Sequence, residues 1–411
     1  MFLRQSANRF LFVCLGGLGI LSVLANSQQP VVDEISTYAN DQQKLIEECA
    51  FATISTEAKQ AIVMDFLTGA ILFKKNAFLK TTPSSMTKLL LMYVSFQAIQ
   101  DRNIDLNSTT EVSETAWRMP GSKMFLEVSR KVSLEDLIRG IIVQSGNDAC
   151  VVFAEKLFGS EDVCVQHMNA VAASLGMRSS QFRNTHGLPD DDHFSSVYDL
   201  AVLACKFIKD FPQYYHYFSE KEFTYSNIRQ YNRNALLWSN IGVDGLKTGL
   251  TSAGGYGIVA SAVRNGRRII VVVNGCKSAK SRSQEVRKLI EFGYSQFANH
   301  VFADQKGNCG RIKVKMGKKK TVKLAVKDNT HAITVPSNLL KNMKISVRHK
   351  EIFAPVRKGD QIAVLKFEFK EKSGLLFEFP LAAAEDVEEL NVFERLIEKI
   401  KQFASGIWPG S

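Results

Sequence analysis

Ser85 and Lys88 stand three residues apart in Pro83-Ser84-Ser85-Met86-Thr87-Lys88, ahead of the apolar run 89–94. Pro83 and the two serines mark a helix start, and the run behind them marks a helix to be buried. That spacing puts hydroxyl and amine on one face, one turn apart. Ser85 is expected in the first turn, where unpaired N–H groups and the positive end of the helix dipole favour a developing anion. Lys88 is expected deeper, where burial disfavours the ammonium and a neutral amine can accept the proton of Ser85. No histidine is needed for that chemistry. The tetrapeptide equally fits a helix-start serine followed by a lysine whose stem lies along apolar surface.

Two later triplets bear on the choice. Ser145-Gly146-Asn147 falls between two helix-like segments, and Lys247-Thr248-Gly249 falls on a strand. Each is too short to mean much alone. In this order they make the set Ser-x-x-Lys, Ser-x-Asn, Lys-Thr-Gly, which occurs in class A β-lactamases and penicillin-binding proteins with Ser-Asp-Asn in the middle slot.

The elements that must position these residues follow from periodicity. Residues 61–66 and 70–73 read as strands joined by a turn at Leu67-Thr68-Gly69. A helix is expected over 132–142, with Ser133 as its cap and Asp136 three residues on. Further helices are expected over 149–157, 164–175, from Asp199 to Lys209, and over 283–297. Residues 177–198 are irregular. Strands over 254–262 and 268–275 form a hairpin turning at Asn265-Gly266. After residue 300 short alternating strands recur at 311–314, 322–326, 344–347 and 361–364, the pattern of a small β domain. The basic run 315–320 reads as a solvated loop. At the end Val392, Phe393, Leu396, Ile397, Ile400, Phe403, Ile407 and Trp408 recur at three and four, with charges on the opposite face. Such a helix packs on its own protein or lies in a bilayer interface.

Composition bounds the setting. The 411 residues carry a formal charge of +11 and the apolar content of a globular chain of two or three domains. Arg4 and Arg9, an apolar core from Phe10 and small residues at Ala25-Asn26-Ser27 read as a signal peptide over 1–27. An uncleaved anchor helix is the alternative. A basic exported chain suits an anionic surface and argues against nucleic acid as partner. Cys49, Cys150, Cys164, Cys205, Cys276 and Cys309 show neither a disulfide framework nor a zinc spacing, and Cys150, Cys164 and Cys205 read as buried thiols.

The chain resembles the low-molecular-mass penicillin-binding proteins of the 5/6 type, D-alanyl-D-alanine carboxypeptidases of serine peptidase family S11. The resemblance covers Ser85-Met86-Thr87-Lys88, Gln144-Ser145-Gly146-Asn147-Asp148-Ala149, Asn184-Thr185-His186-Gly187-Leu188, Asn232-Arg233-Asn234 and Asp244-Gly245-Leu246-Lys247-Thr248-Gly249. It implies an α+β fold: a serine β-lactamase/transpeptidase-like domain with an antiparallel sheet flanked by helices, a small all-β sandwich domain, then an amphipathic helix. The implied divisions are 28–300 catalytic, 301–384 β-rich and 385–411 membrane anchor. The implied roles are Ser85 as nucleophile, Lys88 as base and Ser145 as proton relay, hydrogen-bonded to the lysines. Asn147, Lys247, Thr248, Gly249, the backbone of Leu250, and Arg282 would bind substrate.

The implied substrate is the peptidoglycan pentapeptide, β-lactams being covalent inhibitors. The implied location is the periplasmic face of the inner membrane, held by the C-terminal helix. No metal or organic cofactor is implied. Many members carry His after Lys-Thr-Gly where this chain has Leu250, which puts rate and β-lactam deacylation in doubt. His186 and Asp210 have family counterparts beside the site, and loop structure is the expected role of both. The rivals are a D,D-endopeptidase using the same residues, a β-lactamase, and an inactive wall- or membrane-binding protein on the same scaffold.

Overall fold

The computed structural model describes residues 43–44, 46–47, 54–326, 331–369 and 376–407. The expected leader, Cys14, Cys49 and Trp408 lie outside them. A five-stranded antiparallel sheet organises the first part of the chain. Its strands are β1 (Gln60–Asp65), β2 (Ile71–Lys75), β3 (Val243–Thr251), β4 (Gly255–Arg264) and β5 (Arg267–Cys276), in the spatial order β2-β1-β5-β4-β3. Both expected hairpins form. Asp65 Oδ1 accepts the N–H groups of Leu67 and Thr68 at 3.0 and 3.1 Å, which closes the first turn. Asn265 and Gly266 both take positive φ, +49° and +77°, as a two-residue hairpin turn requires.

Strand alternation divides β5 between two cores. Ile270 and Val272 face one core with Val259 of β4 and Ile62 of β1, whereas Ile269, Val271 and Val273 face the other with Ala61 and Val63. The first core is filled by helices α1 (Lys88–Asp101), α2 (Leu134–Arg139), α3 (Asn147–Phe158), α4 (Glu161–Ser174) and α5 (Val197–Asp210). The second is closed by α6 (Ala279–Gln296) through Val286, Leu289 and Ile290. Helix α1 is apolar on every side, and eleven of its fourteen residues are buried, which makes it the central post of the domain. It is the element that carries Lys88.

The helix expected over 132–142 is shorter at its start and changes character at its end. It begins at Leu134, capped by Ser133 Oγ accepting from Asp136 N at 3.0 Å, and widens at Gly140–Gln144 into a π-type turn. That turn delivers Ser145 in the left-handed region, at φ +66°.

The second part has strands β6 (Phe297–Val301), β7 (Asn308–Lys315), β8 (Thr321–Val326), β9 (Ala332–Pro336), β10 (Met343–Arg348), β11 (Ile352–Phe353), β12 (Gln361–Phe369) and β13 (Leu376–Ala383). Six form a sheet in the order β10-β12-β13-β8-β7-β11, and β6 pairs with β9 as a second, two-stranded sheet. Val335 of β9 shares one core with Leu324, Phe367 and Phe379 of the larger sheet. Strands β6, β9, β11 and β13 are additions to the sequence expectation, and β6 runs across residue 300. The turn after β1 joins the two parts: Asn299 Nδ2 donates to Asp65 Oδ1 at 3.0 Å, and the Thr68 and Thr334 hydroxyls lie 2.6 Å apart. Helix α7 (Val392–Ile407) follows, with Val392, Phe393, Leu396 and Ile400 exposed. Among the described residues no helix is long and apolar enough to cross a membrane.

Candidate active site

Ser85 does not lie in the first turn of an α-helix. Ser84–Thr87 form a 3₁₀ turn, and Lys88 is the first residue of α1. Residues i and i+3 eclipse in such a turn, so the tighter geometry brings hydroxyl and amine together more directly than the expected α-turn. Two glycines hold the turn from either side. A Cβ on Gly187, whose φ is +83°, would lie 1.9 Å from Ser84 O. A Cβ on Gly249 of β3 would meet Pro83 O at 3.0 Å and Ser84 Cβ at 3.1 Å. The edge strand β3 and the loop 184–188 therefore pack backbone against backbone around the serine. His193 supports the turn from below: its Nδ1 accepts from Arg183 N at 3.2 Å, which leaves Nε2–H to donate to Thr87 Oγ1 at 2.8 Å. Burial first, then His186, pushes the His193 imidazole down to about 4, so it is neutral.

Lys88 is 0% exposed. Its Nζ lies 2.9 Å from Ser85 Oγ, 2.8 Å from Asn147 Oδ1 and 2.6 Å from the His186 carbonyl. Among the described residues no carboxylate is within ion-pair distance of it. The carbonyl and the amide oxygen can only accept, whereas the serine hydroxyl can also donate. A neutral amine matches that set: two N–H donated outward and a lone pair turned to Ser85 O–H. Burial pulls the Lys88 ammonium down to about 8 from 10.5, with the nearby Arg233 charge adding to the effect.

Asn147 opens α3 beside Ser145. Its Nδ2 donates to Pro120 O and its backbone N–H to Ser122 O, both at 2.7 Å, which fixes the amide oxygen towards Lys88. The expected hydrogen bonds from Ser145 to the lysines are not made. Ser145 Oγ is buried and has no hydrogen-bond partner among the described residues. The π-type turn sets Ser145 two residues before Asn147 and leaves its hydroxyl unengaged among the described residues.

Three further cations converge without acidic partners among the described residues. Lys247 on β3 is buried, and its pKa is driven well below the ordinary value by burial, then by Lys88, Arg233 and Arg282. Arg282 on α6 is buried and donates to Arg233 O at 3.1 Å, while its Nε has no partner among the described residues. Arg233 donates to Ser122 Oγ at 2.7 Å. Thr248 is buried next to Lys247, and Leu250 is 54% exposed. Such a concentration of positive charge, two of the three cations being buried, attracts an anion. Among the described residues no cluster of His, Cys, Asp or Glu could hold a metal.

Hydrogen bonds thus join Ser85, Lys88 and Asn147 directly. Close packing brings Gly249 in, and charge couples Lys247. Arg282 is linked through the Arg233 backbone. Arg233, Gly187 and the His186 carbonyl join the site without having been assigned a role from sequence. The signal was available only as the motifs that contain them. The His186 ring has Nε2 3.4 Å from Glu161 and Nδ1 accepting from Leu188 N at 3.2 Å, a loop role, and burial holds it at about 3. Asp210 accepts from Tyr93 OH at 2.7 Å at the end of α5. Cys150, Cys164, Cys205, Cys276 and Cys309 are free thiols.

The D-alanyl-D-alanine carboxypeptidase family model matches residues 47–278, and the model of the penicillin-binding protein 5 C-terminal domain matches 298–389. The chain is 37% identical over 351 residues to D-alanyl-D-alanine carboxypeptidase DacC of Escherichia coli, covering 83% of this chain and 87% of that one. It is 36% identical to DacA of Haemophilus influenzae, over 85% and 90% of the two chains. The crystal structure of penicillin binding protein 5 from Haemophilus influenzae superposes with a TM-score of 0.75 at 35% identity, over 82% of this chain and 99% of that one. The ampicillin-bound penicillin-binding protein D2 of Listeria monocytogenes matches at a TM-score of 0.55 and 27% identity, over 59% and 99%. With the nucleophile turn, the edge strand β3 and the cations Lys247 and Arg233 inside the matched region, the chain belongs to the D-alanyl-D-alanine carboxypeptidase family of S11 serine peptidases.

Proposed function

We propose that this protein is a serine D-alanyl-D-alanine carboxypeptidase that trims the terminal D-Ala from peptidoglycan pentapeptide stems. The observation that carries the reading is the Lys88 amine, buried, free of carboxylates among the described residues and 2.9 Å from Ser85 Oγ. Ser85 Oγ attacks the carbonyl carbon of the penultimate D-Ala as Lys88 takes the hydroxyl proton. The backbone N–H groups of Ser85 and Leu250 receive the oxyanion. The proton taken by Lys88 passes through the Ser145 hydroxyl to the departing D-Ala nitrogen, which breaks the C–N bond, leaves an ester on Ser85 and restores the neutral amine. Water then attacks the ester carbonyl as Lys88 takes its proton, and Lys88 returns that proton to Ser85 Oγ as the ester C–O bond breaks. Thr248, Lys247 and Arg282 hold the substrate's terminal carboxylate, with Arg233 alongside, which favours an exopeptidase. Asn147 holds the substrate amide. A β-lactam acylates Ser85 by the same first step.

The domain reading follows: a leader over 1–27, the catalytic domain over 28–300, the β-rich domain over 301–384 and an anchor over 385–411. The apolar face of α7, exposed along Val392, Phe393, Leu396 and Ile400, supports its lying in the periplasmic surface of the inner membrane. Co-flotation with anionic phospholipid vesicles, lost on removal of 391–411, tests the anchor. Fluorescent penicillin labelling and D-Ala release from a pentapeptide test the chemistry. No label on the wild type, or equal label on Ser85→Ala, overturns it.

A further inference from the structure

We propose that Phe125 is a specificity-determining residue: its ring receives the aliphatic side chain of the stem residue that precedes D-Ala-D-Ala. The inference deepens the carboxypeptidase reading and rests on it. The first observation is conformational. Among the described residues eleven other than glycine take positive φ; five are asparagines, which tolerate it, and only Phe125 and Met316 are bulky. Ser84 and Ser145, two others of the set, belong to the site already described. Phe125 sits at φ +67° with 49% of its surface exposed. A turn alone would favour glycine or asparagine there, and a half-exposed ring gains only part of the burial a core phenylalanine would.

The second observation is what holds it. The buried Asp148 carboxylate accepts Met124 N on Oδ1 at 3.0 Å and Leu126 N on Oδ2 at 3.2 Å, one on each side of Phe125. Met124 O accepts Gln230 Nε2 at 3.2 Å, and the side chains of Met124 and Leu126 are buried. Both neighbours are pinned inward, so the intervening ring is turned out.

The third is location. The same segment supplies Pro120 O and Ser122 O to Asn147 and Ser122 Oγ to Arg233. It forms the wall beside Asn147, which lies on the acyl side of the scissile bond when the terminal carboxylate takes the cations. An aromatic face on that wall suits a methylene chain.

The test uses the purified full chain and two synthetic peptides, diacetyl-L-Lys-D-Ala-D-Ala and acetyl-Gly-D-Ala-D-Ala, with D-Ala release, fluorescent penicillin labelling and Tm as readouts. Phe125→Gly relieves the positive φ and removes the ring. It is expected to raise Tm, to keep penicillin labelling, and to lower kcat/KM about tenfold for the lysyl peptide, mainly through KM, with under about twofold change for the glycyl peptide. Phe125→Leu, which keeps apolar contact, is expected within about threefold of wild type on the lysyl peptide. Equal losses on both peptides, no loss on either, or a lowered Tm for Phe125→Gly overturns the proposal. A wild type that labels with penicillin but releases D-Ala from neither peptide overturns the carboxypeptidase reading itself, and the inference with it.

Discussion

Acylation should follow the titration of one buried amine. Lys88 is pulled down to about 8 from 10.5 by burial, helped by the Arg233 charge. At pH 7 a group at 8 is about 10% neutral, whereas an ordinary lysine is about 0.03% neutral, so burial enlarges the reactive fraction roughly 300-fold. The sign is that of a base: the neutral form reacts. The second-order rate constant for penicillin acylation should therefore rise about tenfold per pH unit below 8 and level off above it. Timed fluorescent-penicillin labelling between pH 5.5 and 9.5 reads this directly. Removing a neighbouring cation by Arg233→Gln should move the break to higher pH, because Lys88 then holds its proton more readily. Replacing the buried carboxylate by Asp148→Asn should move it the other way. A flat profile, a break near 6.5, or a limb still rising at pH 9.5 would refute the assignment of the base to Lys88.

Lys88→Met should stabilise the fold at pH 7, since the folded state binds the proton less well than the unfolded chain. That advantage should shrink by on the order of 3 kcal/mol between pH 8 and 10.5, where only the unfolded chain still binds it, as denaturant titrations across that range will read. Ser145→Ala removes a buried hydroxyl with no partner, so stability should hold or rise while D-Ala release falls at least tenfold; a Tm loss would assign Ser145 a structural role. Gly187→Ala places a methyl 1.9 Å from Ser84 O and should cost more than about 2 kcal/mol together with penicillin labelling. Leu250→His alters an exposed side chain whose proposed contribution is its backbone N–H, so unfolding free energy should stay within about 0.5 kcal/mol and acylation should persist.

What could be read from the sequence depended on whether its cause was local. The Asn265-Gly266 hairpin and the Ser133 cap depend on neighbours within a few residues, and both formed as expected. The Ser85–Lys88 contact is local too, although the 3₁₀ turn that makes it was not anticipated. Arg233 and Gly187 act on partners that are far away in sequence. Gly187 matters because Ser84 is packed against it, a fact of tertiary approach. The π-type turn at Gly140–Gln144 shares the apolar periodicity of the helix before it, so spacing could not reveal it. Strand β13 carries Pro380, which weakens a strand reading until its partners β12 and β8 are known.

The arrangement also explains why a lysine can serve where other serine hydrolases use histidine. Lys88, Lys247, Arg233 and Arg282 crowd one site, and among the described residues none of the four has a carboxylate within ion-pair distance. The carboxylate whose charge acts on Lys88, that of Asp148, is occupied by backbone N–H groups. A carboxylate against Lys88 would raise its pKa and silence it; a carboxylate against Arg282 or Lys247 would occupy the place of the substrate's own. The same omission therefore does two jobs in the proposed mechanism: it keeps the Lys88 pKa low enough for a reactive neutral fraction, and it leaves the cations free to pair with the substrate's carboxylate. Placing an acid there, as in Thr248→Asp, should slow acylation twice over, by blocking the carboxylate and by protonating Lys88, and only the second effect should be relieved as pH rises.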